Sequence, residues 1–478
     1  GGAAHPEPGG RSGRRKGRQN RRGADGGRDP VGPLLIRLAL PTICAQVVNL
    51  LYNIVDRIYI GQIPGEGALA LTGMGVTFPV ITLISAFAAL IGMGGSPRAS
   101  IAMGAGEHEK AERTLGTCSA ALWGLSIVLT VLFLLFQEPL LVLFGASPDT
   151  LPYALEYLNI YVLGTIFVMT ALGLNGFITA QGKSGVAMKT VLIGAVLNVV
   201  LDPVFIFVFG MGVRGAAIAT VISQAVSAAW VVVFLSGSKS TLRLRKVFLR
   251  LDSKLLLPAV ALGASPFVMQ ATESLLTVTF NVSLQRYGGD LAVGAMTILT
   301  SVSQMVQMPL LGLAQGAQPI LSFNYGAGRP DRMKQSVRYT LIIACVFAFA
   351  VWGVVQLAPH AVAQMFNRNT ELVDMTAWAL RIYFAVGFTM AFQNTFQQCF
   401  VALGEAKISL FLALERKVIL LIPLILILPQ FMSDKLFAVF CAEPVADFLA
   451  AATTTTLFLF RFRHILRETE QKSQTRPE

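Results

Sequence analysis

The sequence predicts an all-α polytopic membrane protein, with twelve transmembrane helices arranged as two pseudo-symmetric six-helix bundles. Three observations predict it. Of 478 residues 54% are apolar and 13% charged, against roughly 25% charged in soluble globular domains, and the mean hydropathy is +0.63. The apolar residues gather in runs near the roughly 20 that cross a bilayer core. Finally, the chain repeats itself at an offset of 222 residues. A large soluble domain is excluded, and the spans must be helical because backbone facing lipid has to satisfy its own hydrogen bonds.

The chain opens on a basic segment, residues 1–30, holding Arg11, Arg14, Arg15, Lys16, Arg18, Arg21, Arg22 and Arg28. Its Gly/Arg-rich composition predicts a disordered tail. No short apolar core precedes a cleavage site, so no signal peptide is expected. Apolar runs bounded by Gly, Pro and charge then place spans at 34–62, 69–96, 115–136, 152–180, 187–209 and 214–236. Six more follow at 256–285, 291–318, 338–358, 376–403, 408–429 and 434–460. The domains expected are an N-terminal lobe 31–236, a basic linker 237–255, a C-terminal lobe 256–460 and a tail 461–478.

The net charge of +12 comes from 38 basic and 26 acidic residues, and its distribution points to a membrane rather than nucleic acid. Lys110, Arg113, Lys183, Lys189, Lys239, Arg243, Arg245, Lys246, Arg250, Lys254, Arg329, Arg332, Lys334 and Arg338 fall on one set of connections. The alternate connections carry Glu66, Glu138, Asp149, Glu371 and Asp374, with isolated bases at Arg214, Arg286, Arg368 and Lys435. The positive-inside rule then predicts both termini in the cytoplasm.

Shifting the chain by 222 superimposes Leu69-Ala70 on Leu291-Ala292, Gly94 on Gly316, Pro97 on Pro319 and Gly104-Ala105-Gly106 on Gly326-Ala327-Gly328. Ile160-Tyr161 meets Ile382-Tyr383, and Ala180 and Gly182 meet Ala402 and Gly404. An even number of spans per unit makes the halves enter the membrane in the same sense, about an axis along its normal, with a cleft between them.

Function must come from sites rather than from this architecture. Asp56 lies in Asn49-Leu-Leu-Tyr52-Asn53-Ile-Val-Asp56, and Asp202 in Asn198-Val-Val-Leu-Asp202-Pro203. A charge at the bilayer centre costs about 2.5–3.5 kcal/mol on insertion scales, so an ionisable group there marks a functional site by default. Asn198 and Asp202 share one helical face, and Pro203 frees the carbonyl of Val199 from its helical donor. Counting about 1.5 Å per residue from Gly212 and Pro64 puts Asp56, Asp202 and Thr220 at one depth, roughly 12–15 Å in. Low polarity and a second carboxylate both favour the neutral form, so the pair is expected to take up protons or hold a hard cation. A helix-to-helix hydrogen bond is the competing reading.

The repeat replaces Asp56, Asn198, Asp202 and Thr220 by Val278, Leu420, Leu424 and Ala442. The second lobe instead offers Glu273, Glu443 and Asp447, while Glu415-Arg416-Lys417 is expected to snorkel towards the cytoplasmic interface. Candidate cavity residues are Gln46, Asn49, Tyr52, Asn53, Gln224, Gln270, Glu273, Gln304, Gln307, Met308 and Gln397, although polar residues in spans, taken one at a time, more often serve packing between helices. Gly182-Lys183-Ser184 lacks the first glycine of a phosphate loop, where Phe177 stands. His5, His108, His360 and His464 fall outside the spans, so no histidine metal site is expected. The Gly92-Met-Gly-Gly95 run reads as close helix packing, and Cys44, Cys118, Cys345, Cys399 and Cys441 as buried small hydrophobes.

Leu51-Tyr52-Asn53-Ile54-Val55-Asp56-Arg57-Ile58-Tyr59-Ile60-Gly61, Asn198-Val-Val-Leu-Asp202-Pro203 and Gly215-Ala-Ala-Ile-Ala-Thr220-Val-Ile-Ser-Gln224 resemble the multidrug and toxic compound extrusion (MATE) family, on its bacterial drug-efflux side. The resemblance covers about residues 31–460. It implies a monomeric two-lobed antiporter that moves cationic or amphipathic small molecules across the lipid bilayer in exchange for H⁺ or Na⁺, without a cofactor, nucleic-acid partner or catalytic residues. It also implies that Asp56, Asn198, Asp202 and Thr220 bind the coupling ion, the only metal being Na⁺ at those residues. Two other readings compete. A lipid-linked precursor flippase of the same superfamily would need a strongly basic cavity, and Arg57 and Arg381 are the main internal bases expected. A membrane-embedded enzyme would need a nucleophile or metal beside the carboxylates.

Overall fold

The structure, a computed structural model, describes residues 27–366 and 369–475. Most of the basic leading segment, Arg368 and the last three residues lie outside that range. The first bundle comprises α1 (Val31–Gly61), α2 (Gly67–Gly104), α3 (His108–Leu143), α4 (Leu151–Leu163 and Thr165–Ala180), α5 (Ser184–Pro203, continued by the π-helical Val204–Val208) and α6 (Val213–Ser236). The second comprises α7 (Ser253–Gly289), α8 (Leu291–Ala327), α9 (Pro330–Leu357) and α10 (Thr370–Tyr383 and Gly387–Ala402). It is completed by α11 (Ala406–Leu414, then the π-helical Glu415–Leu421 and Ile422–Phe431) and α12 (Lys435–Thr475). No strand occurs among the described residues. The protein is thus an all-α, multi-pass membrane protein of twelve spans.

Helix ends follow local chemistry. The α7–α8 junction turns at Gly289, whose φ of 68° is a conformation open to glycine and costly for other residues. α12 runs past the expected end at Phe460 to Thr475 because Phe462, Ile465, Leu466 and Thr469 recur on one buried face. Arg461 also pairs with Glu405 at 3.0 Å. Cys44 is exposed rather than buried, since its face of α1, shared with Leu40, points away from the bundles.

The repeat has a direct spatial counterpart. α4 bends by 59° at Gly164, and α10 by 53° at the matching place before Gly387. Ser100 Oγ donates to the Ala180 carbonyl at 3.4 Å, and its 222-shifted counterpart Ser322 to Ala402 at 2.7 Å. A Cβ on Gly104 would sit 1.9 Å from the Phe323 carbonyl oxygen, and one on Gly326 would sit 2.0 Å from that of Ile101, each contact mapping onto the other. Glycine here lets two backbones touch across the bundle boundary.

The same end of the molecule, where the basic connections lie, holds other contacts between lobes. A Cβ on Gly94 would lie 1.8 Å from the Ala259 oxygen, and one on Gly263 equally close to that of Leu90. Thr42 Oγ1 donates to the Gly312 carbonyl at 2.6 Å, and Gln46 Nε2 to Gln315 Oε1 at 3.0 Å. Leu34, Leu35 and Leu38 of α1 join the apolar core of the second bundle. Farther along, Asn49, Asn53 and Arg57 of α1 and Glu273 of α7 are exposed. The lobes are therefore clamped at the basic end.

Candidate functional site

Asp56, Asn198, Asp202 and Thr220, placed on α1, α5 and α6, meet at one point. Asn198 Nδ2 donates to Asp202 Oδ2 at 3.1 Å and, more weakly, to Asp56 Oδ1 at 3.4 Å. Thr220 Oγ1 lies 3.3 Å from Asn198 Oδ1 and 3.0 Å from the Ala216 carbonyl. Asn198 and Asp202 are each 1% exposed, while Asp56 is half-buried and forms the side of the site nearest the surface. The Asp202 Oδ1 atom is buried without a hydrogen-bond donor. The two carboxyls stand within hydrogen-bonding reach of each other.

Local sequence explains this convergence. Four residues separate Asn198 from Asp202, so a regular turn stacks them, and Pro203 ends the regular register by leading into the π-helical Val204–Val208. The hairpin after α5 then brings Thr220 back beside Asn198. Chemically, the cluster offers hard oxygen donors with one unmatched acceptor, fitted to a proton between the carboxyls or to a small hard cation. No group of three His, Cys, Asp or Glu side chains forms a metal set among the described residues.

Tyr52 is half-buried and reaches Thr220. So does Tyr157 of α4, while the ring of Tyr161 stacks on Tyr157 at 5.8 Å. Sequence reasoning missed these last two. The available signal was their four-residue spacing on a helix, which makes one aromatic face.

The expected cavity residues divide. Asn49 and Asn53 are exposed, and Gln224, Gln270, Gln304, Gln307 and Met308 half-buried. Gln46 instead closes the contact between lobes described above. Gln397 is not a cavity residue: at 1% exposure it donates to Ser265 Oγ at 2.9 Å and the Ser409 carbonyl at 2.7 Å, fastening α10 to α7 and α11. Gln397→Leu is expected to cost about 1–3 kcal/mol by stripping those acceptors of their donor. A lower thermal unfolding midpoint of the purified protein checks it.

The expected snorkelling of Glu415-Arg416-Lys417 is also corrected. Arg416 and Lys417 are 15% and 7% exposed, turned inward where α11 becomes π-helical. Lys417 Nζ donates to Glu273 Oε2 at 2.6 Å and also to the Met269 carbonyl. Arg416 Nη2 donates to Glu443 Oε1 at 3.2 Å and Asp447 Oδ1 at 3.0 Å. Buried bases find carboxylates on neighbouring helices because leaving either partner alone costs more than forming the pair.

The family model described as MatE matches residues 41–204 and 266–427. Multidrug export protein MepA of Staphylococcus haemolyticus (strain JCSC1435) is 24% identical over 419 residues, covering 87% of this chain and 91% of that protein. MepA of Staphylococcus aureus (strain MSSA476) is 24% identical over 359 residues, covering 74% and 78%. Among solved structures, one described as MATE in the bent conformation aligns with a TM-score of 0.85 at 24% identity, over 91% of this chain and 96% of that one. Another, an outward-facing multidrug resistance MATE family transporter, gives 0.84 at 24% identity over 92% and 98%.

Proposed function

Because the chain belongs to the MatE family, and so is a transporter rather than an enzyme, we propose that it exports cationic or amphipathic compounds in exchange for H⁺ or Na⁺ by alternating access. The observation carrying this reading is the convergence of Asp56, Asn198, Asp202 and Thr220 inside one lobe, with an unmatched carboxylate oxygen. An ion entering past Asp56 neutralises the pair and removes the repulsion between the carboxylates of α1 and α5. Its differential affinity for the two packings biases which end of the cleft is open. Asn198 holds both carboxylates in register, and Thr220 orients the Asn198 amide.

With the basic loops taken as cytoplasmic, as are both termini, the clamp at that end corresponds to an outward-facing state in the bacterial inner membrane. Asn49, Tyr52, Asn53, Gln224, Gln270, Gln304, Gln307 and Met308 would bound the substrate path in a monomer. Polar amides and a thioether suit ligands of varied shape. The flippase reading is disfavoured because, among the described residues, the buried bases Arg416 and Lys417 are matched by carboxylates and so offer no free positive charge to a pyrophosphate.

The test is dye efflux from proteoliposomes under a pH gradient alone and then a sodium gradient alone. One gradient is expected to drive efflux against the dye's concentration; efflux indifferent to both would contradict ion coupling.

A further inference from the structure

We infer that the second lobe holds an exchangeable proton of its own, shared between the carboxyls of Glu443 and Asp447 and braced by Arg416. The two acids lie four residues apart on α12, about 12 and 18 Å along it from Lys435 at 1.5 Å per residue, well inside the membrane. Their side chains are 3% and 4% exposed. Arg416 occupies one oxygen of each. The remaining oxygens, Glu443 Oε2 and Asp447 Oδ2, are buried without a donor, while the two carboxyls stand within hydrogen-bonding reach of one another.

Charge counting decides what belongs there. One guanidinium faces two carboxylates, leaving one negative charge uncompensated away from water, which is costly. The surrounding groups do not supply the missing cation. From α7 and α11, Glu273 and Lys417 neutralise each other. From α10 comes Tyr383, a phenol. Glu415 of α11 adds another acid and faces Thr453 of α12. A proton settles both problems: one carboxyl becomes an O–H donor to the other, and the Arg416 cluster becomes neutral. A metal ion does not fit, since a hard cation gathers more oxygens than the two that remain, and the amide and hydroxyl oxygens that Asn198 and Thr220 add in the first lobe are replaced in the second by Leu420 and Ala442.

Both lobes then use one device built from different residues. Asp202-Pro203 in α5 and Glu443-Pro444 in α12 each set an acid before an in-helix proline. A nitrogen donor bridges each acid pair, Asn198 in the first lobe and Arg416 in the second. The proton leaves as H⁺ to water when the cluster opens, giving two carboxylates that both pull on Arg416, and returns when it closes. The proton's use in transport rests on the exporter reading; its presence does not.

Infrared spectroscopy of the reconstituted protein at neutral pH tests this, in a background carrying Asp56→Asn and Asp202→Asn to silence the first lobe. The carbonyl stretch of a protonated carboxylic acid is expected, lost in Glu443→Gln and in Asp447→Asn and kept in Glu415→Gln. Glu443→Gln is close in shape to the protonated acid, and the band of the background protein decides the matter even if that variant misfolds. No such band in the background, or a full band in Glu443→Gln, overturns the proposal. In otherwise wild-type protein, Glu443→Gln should lower the protons moved per substrate by one; an unchanged ratio overturns exchange. The band in the background protein together with no export by the wild-type protein would sink the exporter reading alone.

Discussion

Asp202→Asn is expected to abolish gradient-driven export, by at least about 100-fold, while leaving the protein folded and no less stable. At about 1.4 kcal/mol per factor of ten, that loss corresponds to about 3 kcal/mol of ion-dependent bias, a modest share of what a full carboxylate–cation contact supplies in a low-polarity site. Stability should hold because the substitution removes a buried charge whose Oδ1 has no donor. Replacing such groups by neutral ones of similar shape is often neutral or favourable. Flux assays and melting curves on one preparation check both halves. Asp56→Asn should behave likewise but with a smaller stability change, since Asp56 is only half-buried.

The second large effect concerns the clamp between the lobes. Gly104→Leu or Gly326→Leu should drive the molecule out of the conformation described here. The added Cβ would lie 1.9 or 2.0 Å from a carbonyl of the opposite lobe, a contact that backbone on both sides cannot yield to. Moving a two-state balance from one extreme to the other takes about 5.5 kcal/mol, and such an overlap exceeds that. Export should fall to background, and a cysteine at Asn53 should lose its reactivity to a water-soluble thiol reagent applied from the side opposite the basic loops. Retained reactivity and transport would mean that the glycine contacts are not the closed gate.

What the sequence disclosed follows from what each feature looks like in one dimension. Asp56 and Asp202 stand out because a carboxylate inside an apolar run is costly to insert, and Asn198 follows from helical spacing. Thr220 was found by counting depth on both sides of a hairpin. The repeat at 222 residues aligned Ile160-Tyr161 with Ile382-Tyr383, but each stretch read as one continuous span, and the bends at Gly164 and before Gly387 were not anticipated. Tyr157 and Tyr161 went unseen because aromatic residues on a helix look like ordinary core. Arg416 and Lys417 were misread for a different reason. A π-helical stretch shifts which side chains face inward, and their carboxylate partners lie on α7 and α12, distant in sequence. Gln397 was misplaced because helix periodicity does not distinguish a wet cleft from a polar contact between helices.

The most direct test of the account is whether charge on the Asp56–Asp202 pair sets the packing of the first lobe. Spin labels on the outer ends of α1 and α6, both remote from the acids of the second lobe, report that packing as a distance distribution. In the wild type the distribution should shift between two populations as pH or sodium is varied. In the Asp56→Asn, Asp202→Asn double variant it should stay fixed at the neutralised packing under all conditions. A double variant whose distances still follow the ion would contradict the claim.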